Sequence, residues 1–148
     1  MKNSIEVCFS PVLYKHKITE ENFIVVIVDI LRATTAICAA FENEVKEIIP
    51  VAGTEQAKVY KENGFLVAAE RNGLVLEFAD FGNSPFNFMK DQVKGKTIAY
   101  STTNGTQAIE MVKENETVIG AFSNLTALSE WLSKKKQKHC YSMFRMEK

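Results

Sequence analysis

Phe23-Ile24-Val25-Val26-Ile27-Val28, followed directly by Asp29, is apolar at six successive positions. A strand with one face in water alternates apolar with polar residues, whereas a strand covered on both faces does not. The segment therefore reads as a central strand of a parallel sheet. Outward from it, strands are expected over Ile5–Phe9, Val45–Val51, Phe65–Ala69, Thr97–Tyr100 and Thr117–Ala121. Helices are expected between them, over Thr34–Glu42, Thr54–Asn63, Pro85–Gln92, Gly105–Lys113 and Leu125–Lys134. The alternation predicts an α/β fold of strands and helices around a mostly parallel central sheet. Local signals agree: Thr54 can cap a helix, Asn63-Gly64 supplies a left-handed stop, Ser84-Pro85 reads as an N-cap with proline at the first position, and Lys94-Gly95 closes that segment.

The chain has 148 residues, 46% hydrophobic and 24% charged, with three prolines and seven glycines, which excludes disorder and low complexity as the dominant state. Eighteen basic residues balance eighteen acidic ones, leaving no global basic field for nucleic acid or an anionic membrane. The balance is uneven along the chain. Residues 134–148 hold six basic side chains and one acidic, so the body before them is acidic. The longest apolar runs fall well short of the roughly twenty residues that span a bilayer. Met-Lys-Asn-Ser-Ile-Glu-Val at the start carries no secretory pattern, so a cytoplasmic protein is expected. Cys8, Cys38 and Cys140 are odd in number and widely separated, which argues against disulfides and structural zinc, and Cys8 and Cys38 read as small buried hydrophobes.

Ligands of open parallel sheets bind beyond the carboxyl ends of the strands, and four polar clusters fall there. Asp29, Arg32, Thr34 and Thr35 follow the central strand. A structural explanation is open for them, with Asp29 paired to Arg32 and Thr34 as N-cap. Ser101-Thr102-Thr103-Asn104-Gly105-Thr106 follows another strand and precedes a helix, a sensible anion cradle without the lysine and glycine spacing of a nucleotide-binding P-loop. Glu70-Arg71 ends a third strand, and Asp80-Phe81-Gly82-Asn83-Ser84-Pro85 leads into a helix. Asp29, Glu70 and Asp80 could hold a hard divalent cation through oxygen, while Arg32, Arg71 and the hydroxyls could hold an anion. Neither His16 nor His139 is placed as a general base, which favours metal-activated water as a hydrolytic route.

Ile27-Val28-Asp29-Ile30-Leu31-Arg32-Ala33-Thr34-Thr35, Ala69-Glu70-Arg71-Asn72-Gly73, Phe81-Gly82-Asn83-Ser84-Pro85 and Ser101-Thr102-Thr103-Asn104-Gly105-Thr106, in that order, resemble the 2-phosphosulfolactate phosphatase family. Weaker similarity continues through Gly120-Ala121-Phe122-Ser123-Asn124. The resemblance implies a magnesium-dependent α/β phosphatase that hydrolyses 2-phosphosulfolactate, or a related phosphorylated 2-hydroxy acid, to sulfolactate and phosphate, a step of coenzyme M biosynthesis. Carried over by position, Asp29 and Arg32 are the catalytic candidates. Asp29 and Glu70 are the Mg²⁺ candidates, and Thr34, Arg71, Asn83, Ser84, Ser101, Thr102, Thr103, Asn104, Gly105 and Thr106 are the substrate-binding candidates.

The resemblance ends near Ser133. The expected organisation is an incomplete phosphatase-like domain over 1–133 and a basic non-family tail over 134–148, with neither strand alternation nor a helical face in the tail. Lys134-Lys135-Lys136-Gln137-Lys138 can be encoded by an A-rich tract, and a shifted frame beyond it permits an apolar strand similar to the family's continuation. A frameshifted, C-terminally truncated member is the expectation. The alternative is an inactive fragment acting at most as an anion- or metal-binding domain, and exposed sheet edges in a truncated fold invite self-association.

Overall fold

The computed structural model describes residues 4–10, 14, 23–30, 32–103, 105–112, 114–135 and 139–145. Strands β1 (Ser4–Cys8), β2 (Ile24–Asp29), β3 (Glu47–Pro50), β4 (Leu66–Arg71), β5 (Leu74–Val75), β6 (Thr97–Ser101), β7 (Glu116–Gly120) and β8 (His139–Arg145) alternate with helices α1 (Ala33–Glu42), α2 (Thr54–Glu62), α3 (Gly105–Met111) and α4 (Leu125–Ser133). The α/β class read from the apolar β2 segment holds. The strands divide, however, between two four-stranded sheets, ordered β1-β8-β2-β7 and β3-β6-β4-β5. All pairings between these strands are parallel except β4 with β5, which are joined by a two-residue turn. Asn72 and Gly73 there have φ of 53° and 79°, the pair of left-handed residues that a type I′ hairpin demands.

The apolar runs of β2 and α1 land where their periods predict. In β2, Val25 and Ile27 face Tyr14, Ala108 and Val112, while Val26 and Val28 face α4 across a groove, so both faces of the strand are covered. Helix α1 buries Ala33, Ala36, Ile37 and Ala40, the i, i+3, i+4, i+7 stripe of an amphipathic helix. These small side chains let it pack against β2, β7 and the 3-10 turn Pro85–Asn87, and its stripe shares one core with Ala68, Phe81, Phe88, Val93, Ile98 and Tyr100. Helix α2 covers the other sheet through Ala57, against Val51, Val67, Ala69 and Ala99.

Three expectations need correction. The helix expected over Pro85–Gln92 is instead two 3-10 turns, Pro85–Asn87 and Asp91–Val93. The Asn43 amide donates to the carbonyls of Phe88 and Lys90, two acceptors a continuous helix would have used itself. Thr54 is the first helical residue of α2 rather than its cap, the capping position being Gly53. And His139–Arg145, expected to lack regular structure, forms β8, a strand paired on both sides with β1 and β2. Its backbone fills a parallel slot, and pairing through N–H and C=O groups places few demands on side-chain alternation.

Gly120 tests the packing of α4 on this sheet. A Cβ there would lie 2.8 Å from Val26 Cγ1, 3.1 Å from Val28 Cγ2 and 3.2 Å from Leu128 Cδ2. Gly120→Ala is expected to destabilise the fold by about 1–3 kcal/mol through overpacking, read as a lower urea midpoint with unchanged m.

Candidate active site

Two groups of the expected residues assemble at the carboxyl ends of the strands. The first is built on β2 and α1. Asp29 ends β2 and is buried; its backbone N–H donates to Thr34 Oγ1 at 3.1 Å, and that hydroxyl donates to the Asp29 carbonyl at 3.0 Å. Thr34 lies inside α1 rather than capping it, and it fixes the chain reversal between strand and helix. Arg32 holds the capping position without a side-chain cap, and its exposed Nη2 donates to Asn83 Oδ1 at 3.2 Å. Asn83 thereby couples the loop before the Pro85 turn to this group. Ser84 stands at the head of that turn, half-buried, with no side-chain capping bond.

The second group joins β4, its hairpin turn and the end of β6. Glu70 is 3% exposed, and its carboxylate is held by three donors. Oε1 accepts from the Thr103 N–H at 2.9 Å and from Thr103 Oγ1 at 3.2 Å, and Oε2 accepts from the Gly73 N–H at 2.9 Å. Thr103 Oγ1 in turn accepts from the Asn72 N–H at 3.1 Å, so the direction of its hydroxyl proton is fixed. Arg71, next on β4, is braced by Ser101 Oγ at 2.9 Å, by the Glu70 carbonyl at 2.6 Å and by the Ala52 carbonyl at 3.5 Å. Ser101 and Thr102 are buried, so they support the rim from beneath rather than presenting free hydroxyls.

Asn104 lies outside the described residues. Gly105 and Thr106 open α3, where the side-chain placement of Thr106 is likewise not described. Asp80 does not join the acidic groups: it accepts the Val67 N–H at 2.8 Å and pairs with Lys61, anchoring the start of β4 rather than its end. Among the described residues, no group of three or more His, Cys, Asp or Glu side chains is gathered as a metal cluster. Burial pushes the Cys38 thiol up, with a hydrogen bond from Ser123 opposing, and burial pushes Cys140 up as well, opposite to the shift that activates a thiol.

Tyr100 was not among the expected site residues. Its phenol is 1% exposed and feels the charges of Asp29, Glu70 and Arg32, members of both groups. Burial first, then the two carboxylates, push its ionisation far above the ordinary tyrosine range, while Arg32 opposes. The signal in the sequence was a polar aromatic at the last apolar position before Ser101-Thr102-Thr103. Among the described residues, no helix is long and apolar enough to cross a membrane.

Comparison with known proteins agrees with these motifs. A family profile described as 2-phosphosulpholactate phosphatase matches residues 8–142, running past Ser133 into β8. A Thermotoga petrophila protein named "Probable 2-phosphosulfolactate phosphatase" is 41% identical over 110 residues, covering 74% of this chain and 48% of its own length. Proteins with the same name from Caldanaerobacter subterraneus subsp. tengcongensis and Clostridium acetobutylicum are 44% and 43% identical over 115 and 117 residues, each covering 74% of this chain and 48% of the relative. The chain thus spans about half the length of the curated relatives it matches. With 135 consecutive positions under one family profile, and the Asp29, Glu70, Asn83 and Ser101 clusters gathered at one end of the strands, this chain belongs to the 2-phosphosulfolactate phosphatase family.

Proposed function

We propose that the chain carries the oxyanion-binding part of a magnesium-dependent phosphatase acting on 2-phosphosulfolactate or a related phosphorylated 2-hydroxy acid. The observation that carries this reading is the bracing of two guanidiniums at the strand ends, Arg32 by Asn83 and Arg71 by Ser101 and the Glu70 carbonyl. Such a substrate brings phosphate, sulfonate and carboxylate together, and fixed guanidiniums match planar pairs of anionic oxygens better than mobile ammonium groups do. Arg32 is exposed and Arg71 half-buried, so both can meet a ligand from solvent. Bracing before the ligand arrives lowers the ordering cost of binding and keeps the positive charge aimed where negative charge develops on the phosphoryl oxygens during its transfer to water.

Asp29 and Glu70 would hold the Mg²⁺. Glu70 fits only in part: Oε1 already accepts two hydrogen bonds, and Oε2, with one, retains a lone pair for a cation. A hard cation that keeps most of its waters suits so sparse a protein donor set. Bound there, it would supply Lewis-acid polarisation and an acidified water. Thr34 keeps Asp29 at the strand end through its backbone, and Thr103 keeps the Glu70 carboxylate from turning away.

A second reading is favoured by one fact, the coverage of only 48% of the relatives' length. On that reading the chain binds anions without turning them over. Release of inorganic phosphate from 2-phosphosulfolactate, assayed on the full chain with and without Mg²⁺, separates the two. Magnesium-dependent release is expected, and Arg71→Ala is expected to lower kcat/KM roughly 10- to 100-fold, the worth of one charged hydrogen bond. Asp29→Asn is expected to remove the response to Mg²⁺. Phosphate binding without release would favour the anion-binding reading.

Glu70→Gln separates clamp from metal ligand. An amide nitrogen in place of one carboxylate oxygen faces a donor, so stability is expected to fall by about 1–3 kcal/mol in urea titrations even without Mg²⁺. A variant as stable as the parent would remove the clamping role.

A further inference from the structure

Tyr100 is the penultimate residue of β6, directly before Ser101-Thr102-Thr103. Its ring is well accounted for. It meets Phe88 edge-on, with centroids 5.6 Å apart and planes at 80°, and Phe88 meets Phe81 in the same way at 5.2 Å and 83°. Ala33 and Ala36 of α1 share that core.

Its hydroxyl is not accounted for. Among the described residues, Tyr100 Oη is the one buried side-chain nitrogen or oxygen without a hydrogen-bond partner. A phenylalanine would keep the ring packing and avoid the desolvation penalty of an unpaired hydroxyl, so for folding alone the oxygen is a liability. Its surroundings give it a use. Burial first, and then the charges of Asp29 and Glu70, push its ionisation well above the ordinary tyrosine range, with Arg32 opposing. The group is therefore a neutral hydrogen-bond donor near neutral pH. Tyr100 pairs in register with Ala68, two residues before Glu70, and shares a core with Ala33, the neighbour of Arg32, so it stands below the strand ends that carry both site groups; at 1% exposure, an oxygen bound at those ends is the partner open to it.

We propose that Tyr100 is a ligand-positioning residue whose hydroxyl is kept unpaired so that it can donate to an oxygen of the oxyanion bound between Arg32 and Arg71. The proposal rests on the reading of those arginines as an oxyanion site and adds a third, uncharged donor to it from the core side. A neutral donor discriminates by direction rather than by charge. It favours a tetrahedral anion that projects one oxygen downward over a planar carboxylate lying across the two guanidiniums.

The test is Tyr100→Phe in the full chain, with thermal midpoint measured alone and against inorganic phosphate at constant Mg²⁺. The expected result is a midpoint equal to or above that of the parent without phosphate, and a phosphate dissociation constant raised about tenfold or more. Phe88→Leu, which loosens the ring without touching the hydroxyl, is expected to lower the midpoint and leave phosphate affinity unchanged. Unchanged phosphate affinity in Tyr100→Phe would overturn the proposal while leaving the oxyanion site in place. A marked drop in its phosphate-free midpoint would overturn it too, since the hydroxyl would then have a structural partner. A parent chain that binds no phosphate would remove the oxyanion site and this role for Tyr100 together.

Discussion

The strand ends hold their arrangement because one buried carboxylate is clamped by three hydrogen bonds. Glu70 is charged, 3% exposed and far too costly to bury unpaired, and its three donors come from two separate pieces of chain: the Gly73 turn after β4 and Thr103 after β6. Satisfying that charge ties the hairpin to the neighbouring strand's exit. The turn must present its N–H inward, which requires the left-handed pair Asn72-Gly73, and the loop must present both the N–H and the hydroxyl of Thr103. Arg71 follows from the same constraint. With β4 pinned in register against β6, its guanidinium reaches Ser101 rather than sweeping through solvent.

The site then divides its work by depth. Glu70, Ser101, Thr102 and the Thr34 hydroxyl are buried and hold the frame, whereas Arg32, Arg71, Asn83 and Ser84 reach the surface. Helix α1 links the halves, because its alanine stripe packs into the core that contains Tyr100 while Arg32 stands at its N-terminal capping position. Displacing α1 along its axis would separate the two guanidiniums and loosen the ring stack at once. The position of Arg32 is therefore coupled to the aromatic core on which α1 packs.

Much of this was legible in the sequence, because the signals were local. The uninterrupted apolar run of β2 announces a strand covered on both faces, and polar residues directly after Val28, Ala69 and Tyr100 mark the ends where ligands bind. What stayed hidden depends on contacts between distant segments. Nothing in Pro85–Gln92 shows that Asn43 will take its carbonyls, and Asp80 looks like Glu70 until Lys61 and the Val67 N–H claim it. The division into two sheets is likewise invisible, since strand order leaves no trace in local periodicity. Tyr100 escaped notice for a different reason: its interest lies in a partner it lacks.

The last strand shows how weakly a slot can constrain its occupant. β8 reaches its place between β1 and β2 after α4, and its backbone pairs on both sides over Ser4–Cys8 and Ile24–Asp29. Those bonds are indifferent to side chains, so a run that neither alternates nor forms a helical face can still complete the sheet. Side chains matter to the space beside it. Cys140 and Ser142 of β8, with Gly120 and Ala121 across from them, are small, and α4 faces them through Leu125, Leu128, Ser129 and Leu132. A groove of about 260 Å³ remains between helix and sheet, lined almost wholly by apolar groups. Larger side chains at 140 and 142 would fill it from the sheet side, because the backbone pairing already fixes where they would point. The backbone pairing of this half of the fold is thus complete while an apolar groove stays open between α4 and the sheet, so this helix is held by fewer side-chain contacts than α1, whose stripe is buried.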